Sequence, residues 1–216
     1  MALKGILFDF DGTLGNTTNL IIRSFHTTIQ HFLHKDISDQ EILTTFGLPL
    51  RDGLREFAPQ EDPDAMVAYY REYNYAHHDE LITAFPSVQE GMSALHAAHI
   101  PAAVVTSKTK EMAGRGLDCL NLHGYISGII GCYDCLEHKP KAEPMLKGAE
   151  LLHLDPSECL CVGDSPYDLL SGKAAGCTTV MVNWSSYDRK RFYALIKPDF
   201  TINKIEDLLP IIAKNN

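Results

Sequence analysis

The sequence predicts an α/β fold, a three-layer α/β/α core around a parallel sheet, with an all-helical domain inserted near its start. Three observations predict it. Short, nearly continuous apolar runs recur at "PAAVVTS" (101–107), "SGIIG" (127–131), "CLCVGD" (159–164) and "TTVMVN" (178–183), and such runs are strands buried on both faces. Helical patterns at about 87–99, 109–120, 142–153 and 166–175 alternate with them, as in parallel strands joined by crossover helices. Residues from about 15 to 84 break the alternation and read as helices only. The core expected from this is Rossmann-like, made of residues 1–14 and 85–216, and the helical insert spans 15–84.

The elements follow in order. The first strand is Ile6-Leu7-Phe8, and it runs straight into Asp9-Phe10-Asp11-Gly12-Thr13. Strand residues two apart project from one face, so Asp9 and Asp11 place two like charges together. They repel unless a cation or a shared proton compensates them. In the insert, Ile22, Phe25, Ile29 and Phe32 form an apolar stripe over 18–34. Ser38 and Glu41 form a capping-box pattern, with Gly47 as a stop. A further helix at 63–82 is entered through Pro63. On it, His77 and His78 point about 100° apart, so they read as surface residues rather than a metal pair. "AFPSV" (84–88) then returns the chain to the core. In open parallel sheets the site forms beyond the carboxyl ends of the strands, and Asp9, Thr106 and Asp164 all fall there.

Composition narrows the function. The 216 residues are 45% apolar and 22% charged, with a net charge of -9 and no basic run. Nucleic acid and anionic membrane both need a basic face, so neither is expected as the main partner. No stretch has the length of a membrane span, and no charged-then-apolar leader precedes the first strand, so a cytoplasmic protein is expected. Cys159 and Cys161 lie in an apolar run, and Cys119 and Cys177 stand singly. Cys132 and Cys135 form a C-x-x-C near His138 but have no second ligand pair at metal spacing. Reduced structural thiols are expected.

Four ordered stretches carry the chemistry: Asp9-Phe10-Asp11-Gly12-Thr13, Thr106-Ser107-Lys108, Lys139-Pro140, and "VGDSPYD" from Val162 to Asp168. Taken singly they have plain readings: strand-to-turn residues for Asp9 and Asp11, an N-cap for Asp164, a solvated charge for Lys139. Independent caps have no reason to occur in this order at successive strand ends. Together the stretches resemble the haloacid dehalogenase (HAD) superfamily of phosphohydrolases, and the helical insert resembles that family's small helical cap. "VVTSK" and "GLPLRDGL" resemble its phosphoglycolate phosphatase and pyrophosphatase-like branch.

The resemblance implies a Mg2+-dependent phosphatase working through an aspartyl-phosphate. Phosphoryl transfer needs a nucleophile in line, neutralised equatorial oxygens and a proton for the leaving group. By resemblance, Asp9 is the nucleophile, Asp11 the general acid and then base, and Lys139 the fixed charge that offsets the transition state. Asp9, the backbone carbonyl of Asp11 and Asp164 would hold the metal, with Asp168 acting through a bound water or the lysine. Gly12 lets the backbone approach the phosphate, Thr13 orients Asp9 or Asp11, and Thr106 with Ser107 faces the phosphate oxygens. Lys108, with Arg51 from the insert, suits a second anionic group on a small, doubly anionic substrate. Phosphoglycolate comes first, with inorganic pyrophosphate, a sugar phosphate, a phosphomutase reaction or a non-catalytic binding role as alternatives. Asp11 favours phosphorus over carbon–halogen chemistry. "AFPSV" departs from the family by placing serine where relatives often have glycine. A monomer and a homodimer both remain open.

Overall fold

The structure, a computed structural model, describes residues 2–184 and 186–214. Met1, Ser185, Asn215 and Asn216, which the sequence assigns to the α/β core, lie outside the described residues. The chain divides into two units, Met1–Asn16 with Thr83–Asn216, and Thr17–Ile82.

The first unit opens with β1 (Gly5–Phe8), whose four residues are all buried. The chain turns through residues 10–14 into the short strand β2 (Gly15–Asn16) and leaves for the helical unit. That unit holds α1 (Thr18–Leu33), α2 (Asp39–Leu43), α3 (Leu50–Phe57) and α4 (Pro63–Leu81). The chain returns through β3 (Thr83–Ala84), then alternates: α5 (Val88–Ala97), β4 (Ala102–Val105), α6 (Lys110–Cys119), β5 (Gly128–Ile130), α7 (Glu143–Leu151), β6 (Cys159–Gly163), α8 (Pro166–Ala175) and β7 (Thr178–Val182). Three further elements follow: α9 (Arg189–Leu195), β8 (Phe200–Ile202) and α10 (Leu208–Lys214).

Six strands form one parallel sheet in the order β5-β4-β1-β6-β7-β8. Its central strands are apolar throughout because helices cover both faces. Ile6, Leu7, Phe8, Val104, Val105, Leu160 and Val162 are fully buried, each burial being worth about 2 kcal/mol. Below the sheet Leu7, Val105, Met145, Ala149 and Cys161 share one cluster. No disulfide joins the six cysteines, all of which are among the described residues, and Cys135, Cys159, Cys161 and Cys177 are buried.

The stretch expected to be helical only, 15–84, begins and ends in β-structure. β2 and β3 pair antiparallel, Gly15 opposite Ala84 and Asn16 opposite Thr83. Strands of two residues are too short to leave a periodic signal, which is why they escape a pattern reading.

In the helical unit, Phe25, Ile29, Ile42, Leu54, Met66 and Tyr70 make the core, and Phe25 meets Tyr70 edge-on at 5.4 Å. Ser38 and Glu41 do form the capping box at the start of α2. The sequence places both histidines of α4 at the surface, and for His78 that is wrong. It is fully buried, on the face of α4 that also buries Met66, Tyr70 and Asn74. That four-residue spacing from Met66 to His78 is the signal that identifies it. Its Nδ1 lies 2.8 Å from Asp79 Oδ1.

The N-cap position before α5 is Ser87, whose φ of 65° is left-handed and whose side chain makes no capping hydrogen bond. A residue with a Cβ is strained there by about 1 kcal/mol. Ser87→Gly is therefore expected to stabilise the fold by about 0.5–1 kcal/mol, seen as a higher urea midpoint at constant m. A lower midpoint would show that the serine hydroxyl contributes more than its backbone costs.

Candidate active site

The sheet order reverses between β1 and β6: the connections from β1 run to β4 and β5, then cross to β6. A crevice beyond the carboxyl ends of the strands is expected at such a point. Register aligns the two strands, since Phe8 pairs with Val104 on one side and Val162 on the other. Asp9 continues the ladder by one bond, its N–H donating to Val162 at 2.9 Å. Asp9, Thr106 and Asp164 thus emerge at neighbouring strand ends.

Lys139 arrives from the loop after β5. Its ammonium donates to Asp9 Oδ1 at 2.9 Å, Asp168 Oδ1 at 2.6 Å and the Val105 carbonyl at 2.7 Å, all of them buried. The Lys139–Pro140 peptide is cis. Glu143, at the start of α7, fixes the approach to this lysine by accepting the N–H groups of Leu136 and Glu137 at 3.1 and 2.7 Å. Those bonds, with the Lys147 ammonium, hold its carboxyl down at about 2. The sequence gives Glu143 no role beyond a helix start, because its partners are backbone groups with no residue signature.

Asp168 does two jobs. Its second oxygen accepts from Ser165 N–H at 3.0 Å and Ser165 Oγ at 2.7 Å, closing a capping box on α8. The N-cap of α8 is therefore Ser165, and the plain reading of Asp164 as that cap does not hold. Gly12, at φ 82°, lies against Asp164: a Cβ there would stand 2.2 Å from Asp164 Oδ2. Glycine is required on both counts.

Oxygens of Asp9, Asp164 and Asp168, all buried, lie within 4.8 Å of one another. A compact set of carboxylate oxygens suits a hard divalent cation such as Mg2+, and Lys139 offsets part of the repulsion among them. Burial pushes the Asp9 carboxyl up to about 7 against the pull of Lys139, with Asp168 and Asp11 adding to the rise. Burial alone would lower Lys139, but the carboxylates of Asp168 and Asp9 reverse this and carry it above its usual range. A proton on Asp9 competes with a cation, so affinity should grow as the proton leaves. Mg2+ binding to the apoprotein should tighten about tenfold between about pH 6 and pH 8, with proton release. Calorimetry in buffers of different ionisation heat checks this, and a flat profile would remove Asp9 from the ligand set.

Asp11 lies outside this cluster. Its two oxygens accept from Lys108 Nζ at 3.1 and 3.2 Å. Thr106 is buried, and its Oγ1 accepts the Lys108 N–H at 3.2 Å, leaving its own proton to donate. Ser107 is exposed. Thr13 departs from expectation: its hydroxyl is fully buried, finds no hydrogen-bond partner among the described residues, and so orients neither aspartate. Its carbonyl instead accepts from Trp184 Nε1 at 3.1 Å, a contact the sequence does not disclose. Arg51 belongs to the helical unit, where its guanidinium pairs with Asp64.

Residues 6–182 match the family model of haloacid dehalogenase-like hydrolases. The chain belongs to this family. Among relatives of the hydrolase, a pyrophosphatase PpaX from Anoxybacillus flavithermus is 37% identical over 213 residues, covering 99% of this chain and 98% of its own. The pyrophosphatase PpaX of Bacillus mycoides is 34% identical over the full length of both chains. In structure, a haloacid dehalogenase-like family hydrolase from Streptococcus pneumoniae superposes with a TM-score of 0.86 at 21% identity, covering 97% and 98% of the two chains. A predicted phosphoglycolate phosphatase from Haemophilus somnus gives 0.82 at 24% identity, covering 97% of each. These two likenesses concern the fold.

Proposed function

We propose that this hydrolase cleaves inorganic pyrophosphate through a phosphorylated Asp9, with Mg2+ as cofactor. The buried grouping of Asp9, Lys139, Asp164 and Asp168 carries the reading. An Asp9 oxygen attacks phosphorus, the bond to the bridging oxygen breaks, and phosphate departs. Water then attacks the phosphorylated Asp9 and releases the second phosphate, returning the carboxylate. Lys139 keeps Asp9 oriented and offsets charge on the transferred group. Thr106 Oγ donates to a phosphoryl oxygen. Asp11, held apart from the buried carboxylates, handles protons in both steps. Asp9, Asp164, Asp168 and the backbone carbonyl of Asp11 would hold the cation, which when bound neutralises charge on the phosphoryl oxygens.

On sequence alone phosphoglycolate ranks first. The full-length relatives at 37% and 34% identity are pyrophosphatases by name, whereas the likeness to the Haemophilus somnus protein, at 24% identity, concerns the fold. This reverses the order. The test is phosphate release from pyrophosphate, phosphoglycolate, a sugar phosphate and p-nitrophenyl phosphate. We expect the highest kcat/KM on pyrophosphate, its loss in EDTA and its return with Mg2+. A higher value on phosphoglycolate would replace the substrate, and silence on all four would overturn the enzymatic reading. Among the described residues no helix is long and apolar enough to cross a membrane.

A further inference from the structure

Lys108 is held by its backbone at both polar groups. Its N–H donates to Thr106 Oγ1 at 3.2 Å, and its carbonyl accepts from Cys132 N–H at 2.9 Å. The loop bearing Cys132 comes this close because Gly131 precedes it: a Cβ there would stand 2.5 Å from Lys110 N and 3.1 Å from Lys108 O. Thr109 then caps α6 by accepting Met112 N–H at 3.3 Å. From this fixed base the side chain, 11% exposed, reaches across to both oxygens of Asp11.

The same ammonium is the one a second anionic group on the substrate would need. An ammonium offers three donors, and here it faces both Asp11 oxygens. A second phosphoryl group, carrying more negative charge than a carboxylate, competes well for it. We propose that Lys108 is a substrate-operated latch. In the free protein it holds Asp11. A substrate with a second phosphoryl or carboxylate group draws the ammonium onto itself and frees the Asp11 side chain for proton transfer. A substrate without that group leaves the latch closed and meets a restrained Asp11. This rests on the phosphohydrolase reading above and adds a coupling between recognition of the distal anion and release of the proton-handling residue.

The latch makes opposite-signed predictions for two substrates. Lys108→Met should lower kcat/KM on pyrophosphate about a hundredfold, through loss of a charge-assisted contact, while kcat on p-nitrophenyl phosphate rises about threefold because Asp11 is no longer held. Lys108→Arg, which keeps the charge, should recover about tenfold or more of the pyrophosphate kcat/KM lost in Lys108→Met and should not raise kcat on p-nitrophenyl phosphate. A binding arm needs no turnover: with Mg2+ present, methylenebisphosphonate should bind Asp11→Asn about threefold to fivefold more tightly than wild type, since a neutral amide oxygen competes for the ammonium more weakly than a carboxylate. Calorimetry reads this, and in a Lys108→Met background, where there is no ammonium to compete for, the gain from Asp11→Asn should shrink. Parallel losses on both substrates in Lys108→Met would make Lys108 a structural support. Unchanged p-nitrophenyl phosphate turnover, or no tighter binding in Asp11→Asn, would leave it a simple anion contact; either result overturns the latch. If wild type turns over no phosphorylated compound, the phosphohydrolase reading fails separately, and the bisphosphonate arm still decides whether Asp11 and a distal anion compete for Lys108.

Discussion

Asp9→Asn should eliminate turnover, by about 10⁴-fold or more in kcat, while the fold survives. The substitution preserves shape, and an amide is cheaper to bury than the carboxylate whose titration burial displaces to about 7. On the proposed mechanism, what is lost is the attacking oxygen. The companion result comes from Asp11→Asn, where Asp9 can still be phosphorylated but hydrolysis of the phosphoenzyme slows. Acid-quenched wild type and Asp11→Asn should yield hydroxylamine-sensitive phosphate on the protein, and Asp9→Asn none. Label remaining on Asp9→Asn would move the nucleophile elsewhere. Full activity in that variant would end the covalent mechanism.

Lys139→Met should be the change most damaging to stability, with a large loss of activity besides. The ammonium satisfies Asp9, Asp168 and the Val105 carbonyl in a buried setting. Methionine fills the volume but leaves two carboxylates and a carbonyl without their donor. Removing one member of a buried ionic group costs about 3–5 kcal/mol, and losing a fixed charge at the reacting group costs about 10²–10³ in kcat. Thermal melts and phosphate release measure the two separately. A variant with a normal melting temperature would mean that the carboxylates find protons or other partners at little cost. Normal kcat would remove Lys139 from transition-state stabilisation.

Much of this was legible in the sequence, for physical reasons that also explain the omissions. The central strands announce themselves because both faces are covered, making every residue apolar. β8 does not, since Phe200 is 37% exposed at the sheet's edge and the run is short. Asp9, Thr106 and Asp164 can be picked out because parallel strands deliver their carboxyl ends to one edge, whereas Lys139 and Asp168 are picked out through the resemblance of their motifs to the family's. Contacts between side chains are another matter. The Lys108–Asp11 pair joins residues 97 apart, and the Trp184–Thr13 bond spans 171. Both depend on how neighbouring loops pack, which no local pattern encodes. In sequence Lys108 reads as a contact for a second anionic group, and its pairing with Asp11 is what only the structure discloses.

The paired strands β2 and β3 have a consequence for how such a chain diversifies. They bring the residues that flank the helical unit, Asn16 and Thr83, directly opposite each other, about 5 Å apart as in any strand pair. A two-residue turn spliced between them would close a hairpin, leaving the parallel sheet's ladder and the charged cluster at its rim uncut. That doorway lets the excursion be exchanged, lengthened or trimmed as a cassette while the phosphorus chemistry behind it stays unchanged.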